Sequence, residues 1–127
     1  MLNNLFIVIL QYIIFRMGVT RTDLFTIEQN ELAVLAKAFA HPARIAILEY
    51  LLESNKCING DLVNELGLAQ ATISQHLREL KNAGLIQGNI EGASMSYCIN
   101  AEKWYSVQKL FNGLFDKIQN CDSGECC

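Results

Sequence analysis

Five cysteines, Cys57, Cys98, Cys121, Cys126 and Cys127, are the residues of this chain best suited to chemistry. Thiolates are soft donors that select soft ions such as Cu(I) or Zn. The trivalent ions As(III) and Sb(III) follow the same softness and take three thiolates in a pyramid. Cys121-x4-Cys126-Cys127 supplies three thiols on a short stretch. Residues 120–127 hold no core-forming side chain, so these thiols have no packing role, and exposed thiols are open to oxidation. A ligand or redox role is expected for them, while Cys57 on its own reads either as a small buried residue at a helix start or as a further ligand. Cys98 lies in a strand-like run and reads as a small apolar packing residue. The five do not read as a disulfide framework, because no secretory signal accompanies them.

A second set of groups lies between Gln70 and Asn82. Ile73, Leu77 and Leu80 recur at spacings of four and three, which predicts one apolar helical stripe. At about 100° per residue, Ala71, Gln75, Arg78 and Asn82 fall opposite that stripe, flanked by Thr72 and Ser74. A Gln amide such as that of Gln75 can bond an adenine edge at two points. Gln70, Thr72 and Ser74 come early in the helix, where hydroxyls, amides and backbone N–H groups meet phosphates. Arg78 and Lys81 add charge near the groove wall. His76 borders the apolar side and suits packing or a phosphate contact better than a metal. Arg44 and Lys56 are less specific phosphate partners. From periodicity alone, an ordinary amphipathic helix with a solvated face stands beside the DNA-reading one.

Several elements must position these groups. A helix opening at Thr26 or an earlier polar residue runs to about Ala40, with Leu32, Leu35, Ala36 and Phe39 on one stripe. Pro42 suits the first turn of a second helix, where its missing N–H costs nothing. That helix carries Ile45, Leu48 and Leu52 on one face, with Ile47 and Leu51 beside them, and ends near Ser54-Asn55. Asn59-Gly60 opens a short third helix with Leu62, Val63 and Leu66, which Gly67 stops. The fourth runs from Gln70 to Asn82 and stops before Gly84. Residues 85–89 and 95–100 read as a hairpin, with Gly88 and Gly92 bracketing its tip. A last helix runs from near Ala101 to about Gln119. Trp104, Val107, Phe111, Leu114 and Ile118 form its stripe, widened by Leu110 and Phe115, a band wide enough for its own domain and a partner subunit. The fold class expected is mainly α with a small β-hairpin: a winged helix-turn-helix of about five helices and a two-stranded wing.

A chain of 127 residues, 51% hydrophobic, suits one domain with an ordinary core. A net charge of −3 argues against a surface coated in basic residues and leaves only local basic patches for nucleic acid. Residues 5–15 are nearly all apolar, yet shorter than the roughly 20 needed to span a bilayer as a helix. Neither a basic flank before this run nor a small-residue cleavage motif after it supports a signal peptide. Three readings stand for residues 1–16: a start codon assigned too early, with Met17 the natural first residue; an extra helix on a dimer; or a membrane tether. The division expected is an extension over 1–22, a DNA-binding and dimerisation domain over 23–119 and a Cys-rich tail over 120–127. No membrane partner is expected, and the location expected is cytoplasmic.

In four pieces the chain resembles the ArsR/SmtB family of winged-helix repressors: residues 35–48 (LAKAFAHPARIAIL), Gly60-Asp61-Leu62, residues 70–77 (QATISQHL) and Ala83-Gly84-Leu85-Ile86. The likeness covers roughly Glu31 to Ile118. It implies a non-enzymatic homodimer on a palindromic operator in double-stranded DNA, released when an inducer binds, with the first and last helices forming the dimer contact. The DNA contacts expected on the recognition helix are Gln70, Ala71, Thr72, Ser74, Gln75, His76, Arg78 and Lys81. Two departures stand out. Ala69 replaces a Ser that family members often carry, removing a helix cap typically worth about 1 kcal/mol. The wing tip, residues 88–94, has no Lys or Arg, so binding leans on the recognition helix and its salt dependence should be shallow.

Arsenic-sensing members of that family place Cys-Val-Cys before Asp-Leu. Here the run is Cys57-Ile58-Asn59-Gly60-Asp61-Leu62. Asn59 takes the second Cys position, and Cys57 lies one residue further from the Asp. The resemblance therefore implies a site of Cys57 completed by Cys121, Cys126 and Cys127, from the same subunit or its partner. As(III) or Sb(III) would be an inducer there and not a permanent cofactor. Zinc sensing through the last helix uses Asp/His pairs, and no His stands between Ala101 and Gln119. Four-coordinate zinc at Cys57 and the three tail thiols stays open. So does a thiol-redox or persulfide switch pairing Cys57 with a tail thiol. A thiol-exchange or metal-transfer protein using Cys126-Cys127 has no base, pocket or cofactor motif behind it. A dimerisation module without DNA reading would be marked by no retardation of its own promoter DNA.

Overall fold

The computed structural model describes residues 21–55, 57–58, 62–90 and 96–118. The chain divides into two units, Met1–Glu31 and Leu32–Cys127. A single 3-10 turn at Thr22–Leu24 in the first unit precedes helix α1 (Ile27–Phe39), whose residues from Leu32 on belong to the second. Thr26 caps α1 reciprocally: its Oγ1 accepts from Gln29 N–H (3.1 Å), and Gln29 Oε1 accepts from Thr26 N–H (2.9 Å). Two otherwise orphaned backbone donors are satisfied this way. The Asn30 amide donates to the carbonyls of Thr22 and Thr26, both at 3.0 Å, tying the turn to the helix.

The second unit continues with α2 (Pro42–Ser54), α3 (Leu62–Leu66), α4 (Gln70–Asn82), β1 (Ile86–Asn89), β2 (Ser96–Ile99) and α5 (Ala101–Phe115). The expected winged helix-turn-helix is the architecture observed. α2 begins as Pro42 dictates, with His41 extended before it and the His41 Nδ1 accepting from Ala43 N–H at 3.1 Å. It ends at Asn55 in the left-handed region, φ 55°. The buried face of α2 differs from the sequence expectation. Ile47, Leu48 and Leu51 are buried, whereas Ile45 and Leu52 are 36% and 40% exposed. This helix is apolar on more than one side, so periodicity alone does not choose the face.

α4 closes in a Schellman motif. Gly84 N–H bonds Lys81 C=O (2.9 Å), and Leu85 N–H bonds Leu80 C=O (3.1 Å). Gly84 sits at φ +78°, which a residue without Cβ adopts freely. Leu80 and Leu85 are both fully buried, supplying the apolar contact that accompanies the motif. The motif delivers the chain directly into β1.

β1 and β2 pair antiparallel, with Ile86 opposite Ile99, Gln87 opposite Cys98, Gly88 opposite Tyr97 and Asn89 opposite Ser96. Gly88 is therefore a strand residue and not a boundary of the tip. It holds φ +114°, and a Cβ there would collide with the Ser96 carbonyl. Gly92 lies outside the described residues. On its other edge, β2 is bridged by Ile58, which pairs with Tyr97. Tyr97, fully buried, joins Ile47, Leu62, Ile73, Leu77 and Leu80 in one core.

Asn100 caps α5, its side chain accepting from Lys103 N–H at 3.3 Å. The α-helical ladder stops at Phe115, short of Gln119. Lys117 and Ile118 donate instead to Leu114 and Phe115, a tighter final turn. Within the apolar band only Val107 is buried; Trp104, Leu110 and Phe111 are half-buried, and Leu114, Phe115 and Ile118 are exposed. Among the described residues no helix is long and apolar enough to cross a membrane. The expected opening of α3 at Asn59-Gly60, Lys56 and the tail thiols all lie outside the described residues.

Candidate functional site

α4 presents two chemically distinct faces. Ile73, Leu77 and Leu80 are at most 1% exposed and anchor it to the core. Gln70, Ala71, Thr72, Gln75, Arg78 and Lys81 are exposed, while Ser74 and His76 are half-buried along the border. Every residue that sequence periodicity assigned to the reading face lies on the outer side of the helix or at its edge. Ala69 is the N-cap, and no side-chain cap bond forms there. The first-turn N–H groups of α4 thus lack the usual hydroxyl partner.

The polar face is internally bonded. The Gln75 amide donates to Glu79 Oε1 (3.0 Å), and Arg78 Nη1 donates to Gln75 Oε1 (3.0 Å). The Gln70 amide donates to Ser74 Oγ at 3.2 Å. These exposed contacts hold the side chains along the helix, and each can be exchanged for a base edge or phosphate at little net cost. Lys81 Nζ donates to the Gly88 carbonyl at 2.7 Å, bracing β1 against α4. Its charge stays at the surface beside Arg78. Arg78, Lys81, Asn82, Asn89 and Ile90 line an open groove of about 310 Å³ between the end of α4 and the hairpin. Sequence reasoning placed Asn82 on this side of α4 but missed Asn89, because their meeting depends on how the hairpin folds back.

His76 packs its ring against His41 at the start of α2, with centroids 4.3 Å apart. Burial lowers the His76 pKa, and the nearby charges of His41 and Arg44 lower it further, while Glu79 opposes them. A packing role for His76 agrees with this placement. Arg44, expected as a phosphate partner, is half-buried, and its Nε is enclosed without a hydrogen-bond partner among the described residues.

The cysteines are arranged differently from expectation. Cys57 and Cys98 are joined as a disulfide, with Cα atoms 4.3 Å apart across 41 residues of sequence. The reading of Cys98 as a plain packing residue is thereby corrected: β2 places its sulfur against that of Cys57. The signal missed is a pairing register, which no local pattern encodes. The Gln87 amide also donates to Cys98 Sγ, at 3.9 Å. Among the described residues no group of three or more His, Cys, Asp or Glu gathers to hold a metal ion. Cys121, Cys126 and Cys127 lie outside the described residues.

The bacterial regulatory protein arsR family matches residues 41–87, the stretch from the α2 cap to β1. An uncharacterised HTH-type transcriptional regulator of Methanocaldococcus jannaschii is 35% identical over 82 residues, covering 65% of this chain and 92% of that protein. An uncharacterised HTH-type transcriptional regulator of Mycobacterium tuberculosis is 40% identical over 65 residues, 51% of this chain and 57% of its own. The HTH-type transcriptional repressor SmtB of the same organism is 43% identical over 63 residues, 50% and 46% respectively. The chain spans about half the length of these two mycobacterial relatives. No solved structure matches. Matched through its helix-turn-helix and into its hairpin, and along nearly the whole of the archaeal regulator, this chain belongs to the arsR family of regulatory proteins.

Proposed function

We propose that this protein is a homodimeric, DNA-binding transcriptional repressor that leaves its operator when As(III) or Sb(III) binds cysteine thiolates. The observation that carries the DNA half is the division of α4. Three side chains lock one face into the core, and Gln70, Thr72, Gln75, Arg78 and Lys81 stand exposed on the other. A recognition helix needs that combination to enter the major groove in a fixed orientation. The exposed Leu114 and Phe115 at the end of α5, with Ile118 just beyond it, support a subunit contact there. A second subunit would place a second α4 for the other half-site of a palindromic operator.

The inducer half rests on thiol chemistry. Cys57 is exposed and precedes α3, so a ligand bound there acts at the base of the helix-turn-helix. Cys121, Cys126 and Cys127 would complete a three-thiolate set. Release requires the ion to bind the DNA-free form more tightly than the DNA-bound form; equal affinity shifts nothing. The test is retardation of the protein's own upstream DNA under reducing conditions, with and without arsenite or antimonite. Wild type should release DNA on ion addition, while Cys57→Ser and a chain ending at Asn120 should stay bound. Unchanged DNA affinity of wild type in the presence of both ions would refute the inducer assignment.

A further inference from the structure

We propose that Cys57 and Cys98 form a reversible dithiol–disulfide clamp between the entry to the helix-turn-helix and the wing, and that the closed clamp makes the protein blind to its thiophilic inducer. The blinding rests on the inducer reading above; the clamp itself does not.

The clamp follows from backbone pairing. Ile58 and Tyr97 exchange both backbone hydrogen bonds, Ile58 N–H to Tyr97 C=O at 2.8 Å and Tyr97 N–H to Ile58 C=O at 3.2 Å. The adjacent opposed pair in an antiparallel ladder is the non-hydrogen-bonded kind, whose side chains stand closest. Cys57 and Cys98 occupy that position, which accounts for the 4.3 Å between their Cα atoms. Main-chain bonds and the buried Tyr97 hold this register, so the thiols stay opposed when the sulfurs are reduced. Cys57 is exposed and Cys98 half-buried. They open on a groove of about 360 Å³ lined by Leu51, Leu52 and Trp104 among others, large enough to admit a small oxidant or reductant.

The chemistry balances with a hydroperoxide as oxidant. The exposed Cys57 thiolate attacks one peroxide oxygen. The O–O bond breaks, an alcohol or water leaves, and Cys57 becomes a sulfenic acid. Cys98 sulfur then attacks Cys57 sulfur; the S–O bond breaks, and water leaves with the Cys98 proton. Overall the two thiols lose two protons and two electrons, and the hydroperoxide is reduced to an alcohol and water. A dithiol reductant reverses the step by exchange.

Two consequences follow from the position. β2 is paired along its length with β1, which continues directly from α4, so the bond ties the segment before α3 to the wing. A sulfur in a disulfide offers no thiolate, so Cys57 cannot serve an ion while the clamp is closed.

The full-length protein is treated with hydrogen peroxide, its remaining thiols are alkylated, and the digest is mapped by mass. The expected product joins the Cys57 peptide to the Cys98 peptide, lighter by two hydrogens and released by a dithiol reductant. A Cys57 peptide joined to a tail cysteine, or both residues alkylated at a dose that oxidises the tail, would overturn the clamp. At the lowest dose that closes the clamp, antimonite should no longer release wild type from its DNA, while Cys98→Ser should still respond. If Cys98→Ser also stops responding, tail oxidation and not the clamp is the cause, and the blinding is overturned. If reduced wild type ignores antimonite, the inducer reading fails and the blinding with it, while the peptide map still decides the clamp.

Discussion

α2 and α4 are helices of equal length, 13 residues each, but their sequences constrain them differently. α4 has one apolar stripe on an otherwise polar cylinder, and the stripe read from spacing is the face that is buried. α2 is apolar on several sides, and its buried face is Ile47, Leu48 and Leu51 rather than the Ile45, Leu48 and Leu52 that spacing favours. Their starts differ in the opposite sense: α2 has a side-chain cap from His41, and α4 begins at Ala69 with none. Periodicity selects a face only where polar residues exclude the others. Where they do not, neighbouring elements select it.

The largest test of this contrast is truncation of buried positions. Leu77→Ala in α4 and Ile47→Ala in α2 should each cost about 2–5 kcal/mol in urea unfolding. Ile45→Ala and Leu52→Ala should cost less than about half as much, since a third or more of each already meets solvent. Equal costs at Ile45 and Ile47 would restore the face that spacing favours.

The next effect separates the two sides of α4. Gln75→Ala should change stability by no more than about 0.5 kcal/mol, because its contacts are exposed. It should weaken operator binding by about 1–3 kcal/mol, read by fluorescence anisotropy at fixed salt. A stability loss matching that of Leu77→Ala would remove the distinction between faces.

Capping gives a smaller, opposite-signed pair. His41→Ala removes the acceptor for Ala43 N–H and should destabilise by about 1 kcal/mol, while Ala69→Ser should stabilise by a similar amount. Thermal midpoints of the two variants should move in opposite directions from wild type.

The smallest effect is the pH dependence that links the two helices. His76 has its pKa lowered first by burial and then by His41 and Arg44. The folded chain therefore binds fewer protons than the unfolded one just below the ordinary histidine value of 6.5. Stability from this group is present above that value and declines as pH falls through it, levelling off below the lowered pKa. His76→Gln should flatten the fall in thermal midpoint on acidification below 6.5. A wild-type profile no steeper than the variant's would show that the ring contact does not sense protonation.

Much of the domain was legible in sequence because its signals are local. The Ile73, Leu77 and Leu80 stripe, Pro42 opening α2, Gly84 ending α4 and the missing cap at Ala69 each depend on a few neighbouring residues and their own backbone geometry. The reading face of α4 came with the stripe, since one side of a helix implies the other. The tertiary structure alone decided which face α2 buries, where Gly88 sits in the hairpin, and that Cys98 stands against Cys57. The last is set by the Ile58–Tyr97 pairing, which brings Cys57 and Cys98 together from 41 residues apart in sequence. Such a register is fixed by packing and ladder hydrogen bonds between segments that share no local pattern, so spacing along the chain carries no trace of it.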